Sequence, residues 1–357
     1  MFGRRTASDC SVGILGVGNI GKVHLESARA MRGVSVVAAA DTVAANRQYA
    51  RRRGVESVYE DYDRLLAAES LDAVVVALPP FLHADAVAAA AEQGCDAFVE
   101  KPLGRSVSEV DQMLDTAERA GIYVGVDHTL RYLPGVEAVK EAYREGRVGH
   151  VPFGAVSRVN YGPFQRPPAT RDFPDWHLDP NAAGGGVLVE LGIHLFDVVD
   201  WLFGDVRVVA AETDSQLALD VEDTATVLCR SESTGTHVTL HCGAYQWEDL
   251  DEFNMSLRLE GVTGTLDYDE FAPSNFYANA ARSGLRNVAK RILGERPDYY
   301  APTYYLQAHY RALQAFIEAV DAGEEPPVSG DEGRRTLELV AAAYDAAETD
   351  AVPLEVA

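Results

Sequence analysis

The chain has 357 residues, 47 % hydrophobic and 24 % charged, the balance of an ordinary globular protein. That length exceeds one typical core and predicts two domains. A formal charge of −24 opposes nucleic acid and anionic membrane surfaces as partners, and no apolar stretch reaches the roughly 18 uncharged residues that span a bilayer.

Cys10, Cys95, Cys229 and Cys242 are scattered, without a C-x-x-C pair, which argues against a disulfide framework or structural zinc. The opening GRRTASDCSVGILGVG imitates a twin-arginine export signal. Its apolar run reads better as a first strand, so the cytoplasm is the expected location. Only four residues are lysine (Lys22, Lys101, Lys140 and Lys290), and nearly all other positive charge is Arg. Dense carboxylates with little Lys suit a cytoplasm of very high salt, or equally a GC-rich genome.

Residues 11–127 alternate apolar runs with Ala-rich helical stretches. SVGILGV, VSVVAAAD, AVVVALP, DAFVEKP and IYVGVD read as buried strands, and the stretches between them carry helical periodicity, several ending in Gly. This grammar predicts a doubly wound parallel sheet in a first domain over 1–127. GVGNIG lies between the first strand and the first helix, the context a dinucleotide fingerprint requires. Gly16 would allow the tight turn, Gly18 the approach of a pyrophosphate and Gly21 the helix–strand contact, with Asn19 and Ile20 between them. Asp41, twenty residues beyond Gly21, can accept from ribose hydroxyls and would repel a 2′-phosphate. With no adjacent Arg, NAD is expected over NADP. FVEKPLG then places Glu100, Lys101 and Pro102 at the carboxyl edge of the sheet, where open α/β folds bind ligands.

From residue 128 the pattern changes. FGAVSRVNYG, TATVLCRS, THVTLHCGAYQW, FNMSLRLEG and GTLDYDE alternate apolar with polar residues, predicting an open, mostly antiparallel sheet in a second α/β domain over 128–357. His128 and Arg131 follow the last strand of the first domain. Arg131 could bind a substrate carboxylate or pair with an acidic neighbour. The proline-rich segment 162–182 reads as a long ordered loop. Trp176, near its end, could face a sugar or anchor the loop. In GGGVLVELGIHLFD, residues 184–197, Glu190 and His194 are four apart, so an α-helix would bring both to one face. The glycines predict a close backbone approach to a ligand. The pair could be a structural contact, a metal site or half of a catalytic centre, although zinc would need further ligands that the surroundings lack. In 281–300, Arg282, Arg286, Lys290, Arg291 and Arg296 form a basic cluster, read either as an ion-paired or oligomer-contact insertion or as a lid for a phosphorylated or nucleotide-linked sugar.

GVGNIG, LPPFLH, EKPLG, HTLRYLP, GRVG, AGGGVLVELGIH and AAAYDAA, in this order and spacing, resemble the glucose–fructose oxidoreductase / inositol dehydrogenase / rhizopine catabolism family over nearly the whole chain. The resemblance implies a Rossmann domain, a second domain whose sheet makes a homodimer or homotetramer, and a small-molecule sugar or polyol substrate without any metal. It gives Lys101 contacts with the nicotinamide ribose and the substrate hydroxyl, with Glu100 beside it. Leu78, Pro79 and His83 occupy the family's Thr-Pro-Asn-x-x-His loop, with Pro80 in place of Asn. His194 matches the catalytic His, and Glu190 stands where many relatives have Asp. The activity implied is NAD-dependent oxidation of a secondary hydroxyl of a sugar, cyclitol or related polyol. Relatives that cleave glycosides with NAD, and non-catalytic sensors of the same fold, are the alternatives.

Overall fold

The computed structural model describes residues 10–160, 175–244, 254–271 and 304–348, together with 285, 288, 289, 292 and 293. The proline-rich residues 162–174 and all five basic residues of 281–300 lie outside them. By contacts the chain forms two units. Unit 1 is Met1–Glu137 with Ala272–Arg334, and unit 2 is Ala138–Phe271 with Arg335–Ala357.

Unit 1 alternates β1 (Cys10–Leu15), α1 (Asn19–Ala30), β2 (Val34–Ala40), α2 (Ala44–Arg52), β3 (Ser57–Tyr59), α3 (Tyr62–Ala68), β4 (Ala73–Val76), α4 (His83–Glu92), β5 (Asp96–Val99), α5 (Val107–Ala120) and β6 (Val124–Val126). The strands are parallel in the order β3-β2-β1-β4-β5-β6, that of the dinucleotide-binding doubly wound fold. The expected fold class is therefore observed. Every residue of β4 and β5 is buried, which accounts for the unbroken apolar run of β4 and for that of β5 after Asp96. The half-buried, three-residue β3 was too short for periodicity to mark.

α6 (Pro134–Arg144) carries the chain from one unit into the other. Unit 2 contains β7 (Phe153–Asn160), α7 (Pro180–Ala183), α8 (Ile193–Phe203), β8 (Val206–Asp214), β9 (Thr224–Ser231), β10 (His237–Ala244), β11 (Asn254–Gly261) and β12 (Gly264–Phe271). Its sheet runs β12-β11-β7-β10-β9-β8 and is antiparallel except for the β7–β10 pair. β9 alternates in burial along its length, as its sequence predicts. β8, at the sheet edge, alternates mostly between exposed and half-buried residues and slips register at a bulge between Val208 and Ala210, and it went unread. The segment Pro180–Phe203 is apolar enough by composition to cross a membrane, but 78 % of its most apolar window is buried within the protein.

The division at residue 127 needs correcting for the last helices. α9 (Tyr304–Ala322) belongs to unit 1. Ala312, Leu313, Phe316, Ile317 and Val320 form a helical stripe in the same core as Ile14, Val75 and Phe98, where that stripe is buried. α10 (Gly330–Glu348) begins in unit 1 and continues into unit 2 after Arg334. Phe316 packs against Phe98 at 5.3 Å between ring centroids. Phe316→Ala should therefore cost about 3–5 kcal/mol, measured as a lowered urea midpoint with an unchanged slope.

Candidate active site

The turn after β1 is shaped by close backbone approach. Gly16 has φ +89°, and a Cβ there would lie 2.3 Å from the Ala77 carbonyl oxygen. A Cβ on Gly21 would lie 2.0 Å from the Gly16 oxygen. Gly18 faces open space and caps α1 without a side-chain hydrogen bond, and no acidic residue sits in the helix's first turn. The leading amides of α1, from Asn19 and Ile20 onward, are thus available to an anion.

Asp41 accepts from the backbone N–H groups of Val17 and Val43, both at 2.7 Å, and from Asn46 Nδ2 at 3.1 Å. One turn into α2, Arg47 donates to the carbonyls of Asp41 and Thr42 at 2.8 and 2.7 Å. Although no Arg is adjacent to Asp41 in sequence, the fold returns one to it. The end of β2 thus carries both the carboxylate that suits ribose hydroxyls and a guanidinium of the kind that accommodates a 2′-phosphate.

At the end of β5, Glu100 is buried and Lys101 half-buried. His83, fully buried at the start of α4, places Nδ1 3.0 Å from the Pro102 oxygen and Nε2 2.8 Å from the Leu78 oxygen. It ties the Leu78–Pro79 turn to the turn that carries Lys101. A neutral ring can donate to only one of these carbonyls, and burial holds the His83 pKa below its ordinary value despite both contacts.

Next to Lys101 in the chain, Glu100 belongs to a cluster whose other members the sequence reading missed. His24 of α1, Glu100, Asp127 at the end of β6 and His309 of α9 are all buried. His24 Nε2 is 2.6 Å from Glu100 Oε1 and 3.4 Å from Asp127 Oδ2, while His309 Nδ1 is 2.6 Å from Asp127 Oδ2. Burial alone would lower the His24 pKa, but the two carboxylates outweigh it and raise it to about 10. Burial likewise opposes ionisation of Asp127, yet His309 and His24 hold its carboxyl well below the usual carboxylate range. Burial, then the charge of Asp127, pushes Glu100 upward against His24. One donor atom from each residue falls within 4.8 Å of the others, a set that could take a divalent ion. The 2.6 Å contacts are instead the length of charge-assisted hydrogen bonds. Donors sharing a tetrahedral zinc would stand roughly 3.3 Å apart.

Unit 2 positions the other candidates. Glu222 accepts from the backbone N–H of Gly186 at 2.9 Å, that of Leu188 at 3.0 Å and the Tyr344 hydroxyl at 2.6 Å, and its carbonyl accepts from Val187 N–H at 3.0 Å. A Cβ on Gly186 would lie 2.1 Å from the Glu222 oxygen. This protein contact accounts for the glycine at 186, where the sequence suggested a ligand. The α-helix expected across Glu190 and His194 also needs correcting. Leu188–Gly192 form a π turn and α8 starts at Ile193, so the pair spans two different windings. Glu190 is half-buried on the π turn, and His194 is only 2 % exposed on α8. Leu188, Val189, Leu191, Leu195 and Phe196 are all buried around them.

The remaining candidates take structural contacts. Arg131 donates to Glu332 at 2.7 Å, the acidic-neighbour alternative. Fully buried His128 precedes a 3₁₀ turn over Thr129–Tyr132. Half-buried Trp176 stacks on His177 at 3.6 Å in a 3₁₀ turn over Asp175–Leu178.

A dinucleotide turn, a lysine at the carboxyl edge of a parallel sheet and a second unit with an open sheet define an oxidoreductase with a nucleotide-binding Rossmann unit. The model of the oxidoreductase family with an NAD-binding Rossmann fold matches residues 10–128, and the GFO/IDH/MocA C-terminal domain matches 136–267. The chain belongs to the GFO/IDH/MocA oxidoreductases. It is 29 % identical over 343 residues to a D-apiose dehydrogenase of Paraburkholderia graminis, spanning 93 % of this chain and 86 % of that one. It is 29 % identical over 342 residues to an NADP(+)-linked D-xylose 1-dehydrogenase of Haloferax volcanii, spanning 95 % and 98 %. A solved levoglucosan dehydrogenase in complex with NADH and levoglucosan shares the fold, with TM-score 0.77, 21 % identity and coverage of 95 % and 97 %.

The raised His24 pKa carries a stability signature. A group whose pKa is higher folded than unfolded stabilises fully below its unfolded value, near 6.5, and loses that contribution as pH rises through about 10. His24→Gln should lower the melting temperature by roughly 5–10 °C at pH 6.5. The gap to the parent should narrow steadily towards pH 10.5 in buffered thermal scans.

Proposed function

We propose that this protein is an NAD-dependent dehydrogenase that oxidises a secondary hydroxyl of a sugar, cyclitol or related polyol, or reduces the matching ketone. The observation that carries this reading is Lys101, standing at the open end of β5 on buried Glu100, in a sheet whose first turn is built for a dinucleotide. The glycine turn, the leading amides of α1 and the Asp41 carboxylate fit that cofactor. Gly16, Gly18, Asn19, Ile20 and Gly21 would take its pyrophosphate and Asp41 its adenosine ribose. Leu78, Pro79, His83, Glu100 and Lys101 would line its nicotinamide half. When bound, the cofactor supplies the hydride acceptor.

The protein's own task is the hydroxyl and its proton. Lys101 donates a hydrogen bond to the substrate oxygen and stabilises the alkoxide charge that develops there. His194 takes the hydroxyl proton at an imidazole nitrogen, the part of a general base. Glu190 orients His194 and stabilises the imidazolium, the part an acid plays beside a catalytic histidine. In reverse, the same groups polarise and protonate a ketone. The hydrogen bonds Asp41 already accepts fix its carboxylate for ribose hydroxyls and support NAD as the preferred cofactor. Arg47 leaves room for NADP as a second cofactor. Four free, buried cysteines support a reducing compartment, the cytoplasm. We place the contact of a homodimer or homotetramer on the open sheet of unit 2.

Lys101→Ala and His194→Ala should each lower turnover at least ~100-fold, measured by NADH absorbance with the substrate found by screening aldoses, inositols, uronic acids and sugar nucleotides at low and high salt. Near-normal rates in both variants would refute the mechanism. Release of free sugar without net NADH would favour the glycosidase alternative. Arg47→Ala should weaken NADPH at least ~5-fold while leaving NADH within twofold, read by fluorescence titration.

A further inference from the structure

Within the buried group of His24, Glu100, Asp127 and His309, only Glu100 has been given a part in the site above, and it stands one residue from Lys101. Its members come from four elements: α1, the ends of β5 and β6, and α9. The contacts run in sequence, from His309 Nδ1 to Asp127 at 2.6 Å, from Asp127 to His24 at 3.4 Å, and from His24 to Glu100 at 2.6 Å. His24 meets the rings of Phe98 and His309 edge-on at 5.7 and 5.5 Å. The titratable groups facing His24 are Glu100 from β5, Asp127 from β6 and His309 from α9.

Stability does not explain such a group. The ion pairs hold one another once buried, but apolar residues of like volume often fill such a place as well or better. What ion pairs supply, and apolar packing does not, is a single orientation. Glu100 is where orientation matters, because it lies at the end of β5, its N–H donates to the Val76 carbonyl at 3.0 Å, and the next residue is Lys101.

We propose that His24, Asp127 and His309 are positioning residues for Lys101, which hold the Glu100 side chain at one point and so fix the turn from which the lysine reaches the reaction centre. This rests on the dehydrogenase reading of Lys101. His309 orients Asp127, Asp127 keeps His24 in place between the carboxylates, and His24 grips Glu100. The order repeats the logic of a histidine aligned by an acid, one step further from the chemistry. A helix from near the end of the chain thus bears on a lysine near residue 100.

The scarcity of lysine makes a test that needs no substrate. Trace acetylation of the folded protein, followed by peptide mass spectrometry, reports the reactivity of Lys101 against Lys22 and Lys140 within one sample. In His24→Gln and in His309→Gln, Lys101 should acetylate at least ~3-fold faster than in the parent, with the other two rates unchanged. Asp127→Asn, which keeps the shape of the side chain, serves if either variant fails to fold. A second readout is NADH affinity by fluorescence. His24→Gln should weaken it at least ~5-fold, but by less than twofold when Lys101 is already Ala, because residues acting through one another are not additive. Equal labelling of Lys101 in parent and variants, or the same loss of affinity with and without Lys101, would overturn the proposal. So would one equivalent of divalent metal that copurifies with the parent and is lost in His309→Gln. Absence of NADH and NADPH binding in the parent would instead defeat the dehydrogenase reading, and the labelling comparison would still decide whether the cluster controls Lys101.

Discussion

The constraint that organises unit 1 is the cost of placing charge at the end of a buried strand. β5 and β6 are buried along their length, and the one polar side chain within them is Asp96 at the start of β5, which accepts from the Tyr123 N–H at 2.8 Å. Their carboxyl ends, where a ligand must be met, nevertheless carry Glu100 and Asp127. Two carboxylates close together in a dry place cannot both remain ionised without a cation between them. His24, 2.6 Å from one carboxylate and 3.4 Å from the other and with its pKa raised by both, is placed to be that cation. Its place on α1, the helix whose first turn follows the glycine fingerprint, joins the phosphate end of the sheet to the lysine end.

Unit 2 solves a related problem differently. An apolar helix that carries Glu190 and His194 must begin somewhere, and the leading N–H groups of a buried helix need acceptors. Glu222 provides them through its side chain and its own carbonyl, with Tyr344 completing the set of donors. The glycine at 186 allows the approach. The π turn that follows re-aims Glu190 relative to His194, a local winding that recurs at functional positions in helices.

What the sequence made legible is what local pattern can carry. Parallel strands announce themselves as unbroken apolar runs, the glycine turn by its spacing between strand and helix, and Lys101 by standing directly after a buried strand. The buried cluster was missed because its partners are far apart in the chain. Asp127 and His309 are 182 residues apart, and His24 and Glu100 are 76 apart. No periodicity links them. Arg47 looked unrelated to Asp41 until α2 folded it back over the carbonyls. Asp127 was the nearest to being found, since it follows a buried strand just as Glu100 does. β8 and β3 were lost for a plainer reason, a bulge that breaks the alternation of an exposed edge and a strand too short to show a period.

Exchanging Asp for Glu at position 190 bears on the same geometry. A longer carboxylate reaches further from its backbone, and a π turn changes where that backbone points. The two departures from a plain helix with Asp one turn before His occur at one residue, so each can offset the other. If Glu190 orients His194 as proposed, the longer side chain and the π turn act together on that alignment. Shortening the side chain alone, while Glu222 still anchors the start of the helix, would upset the alignment of His194 more than it would the packing of α8.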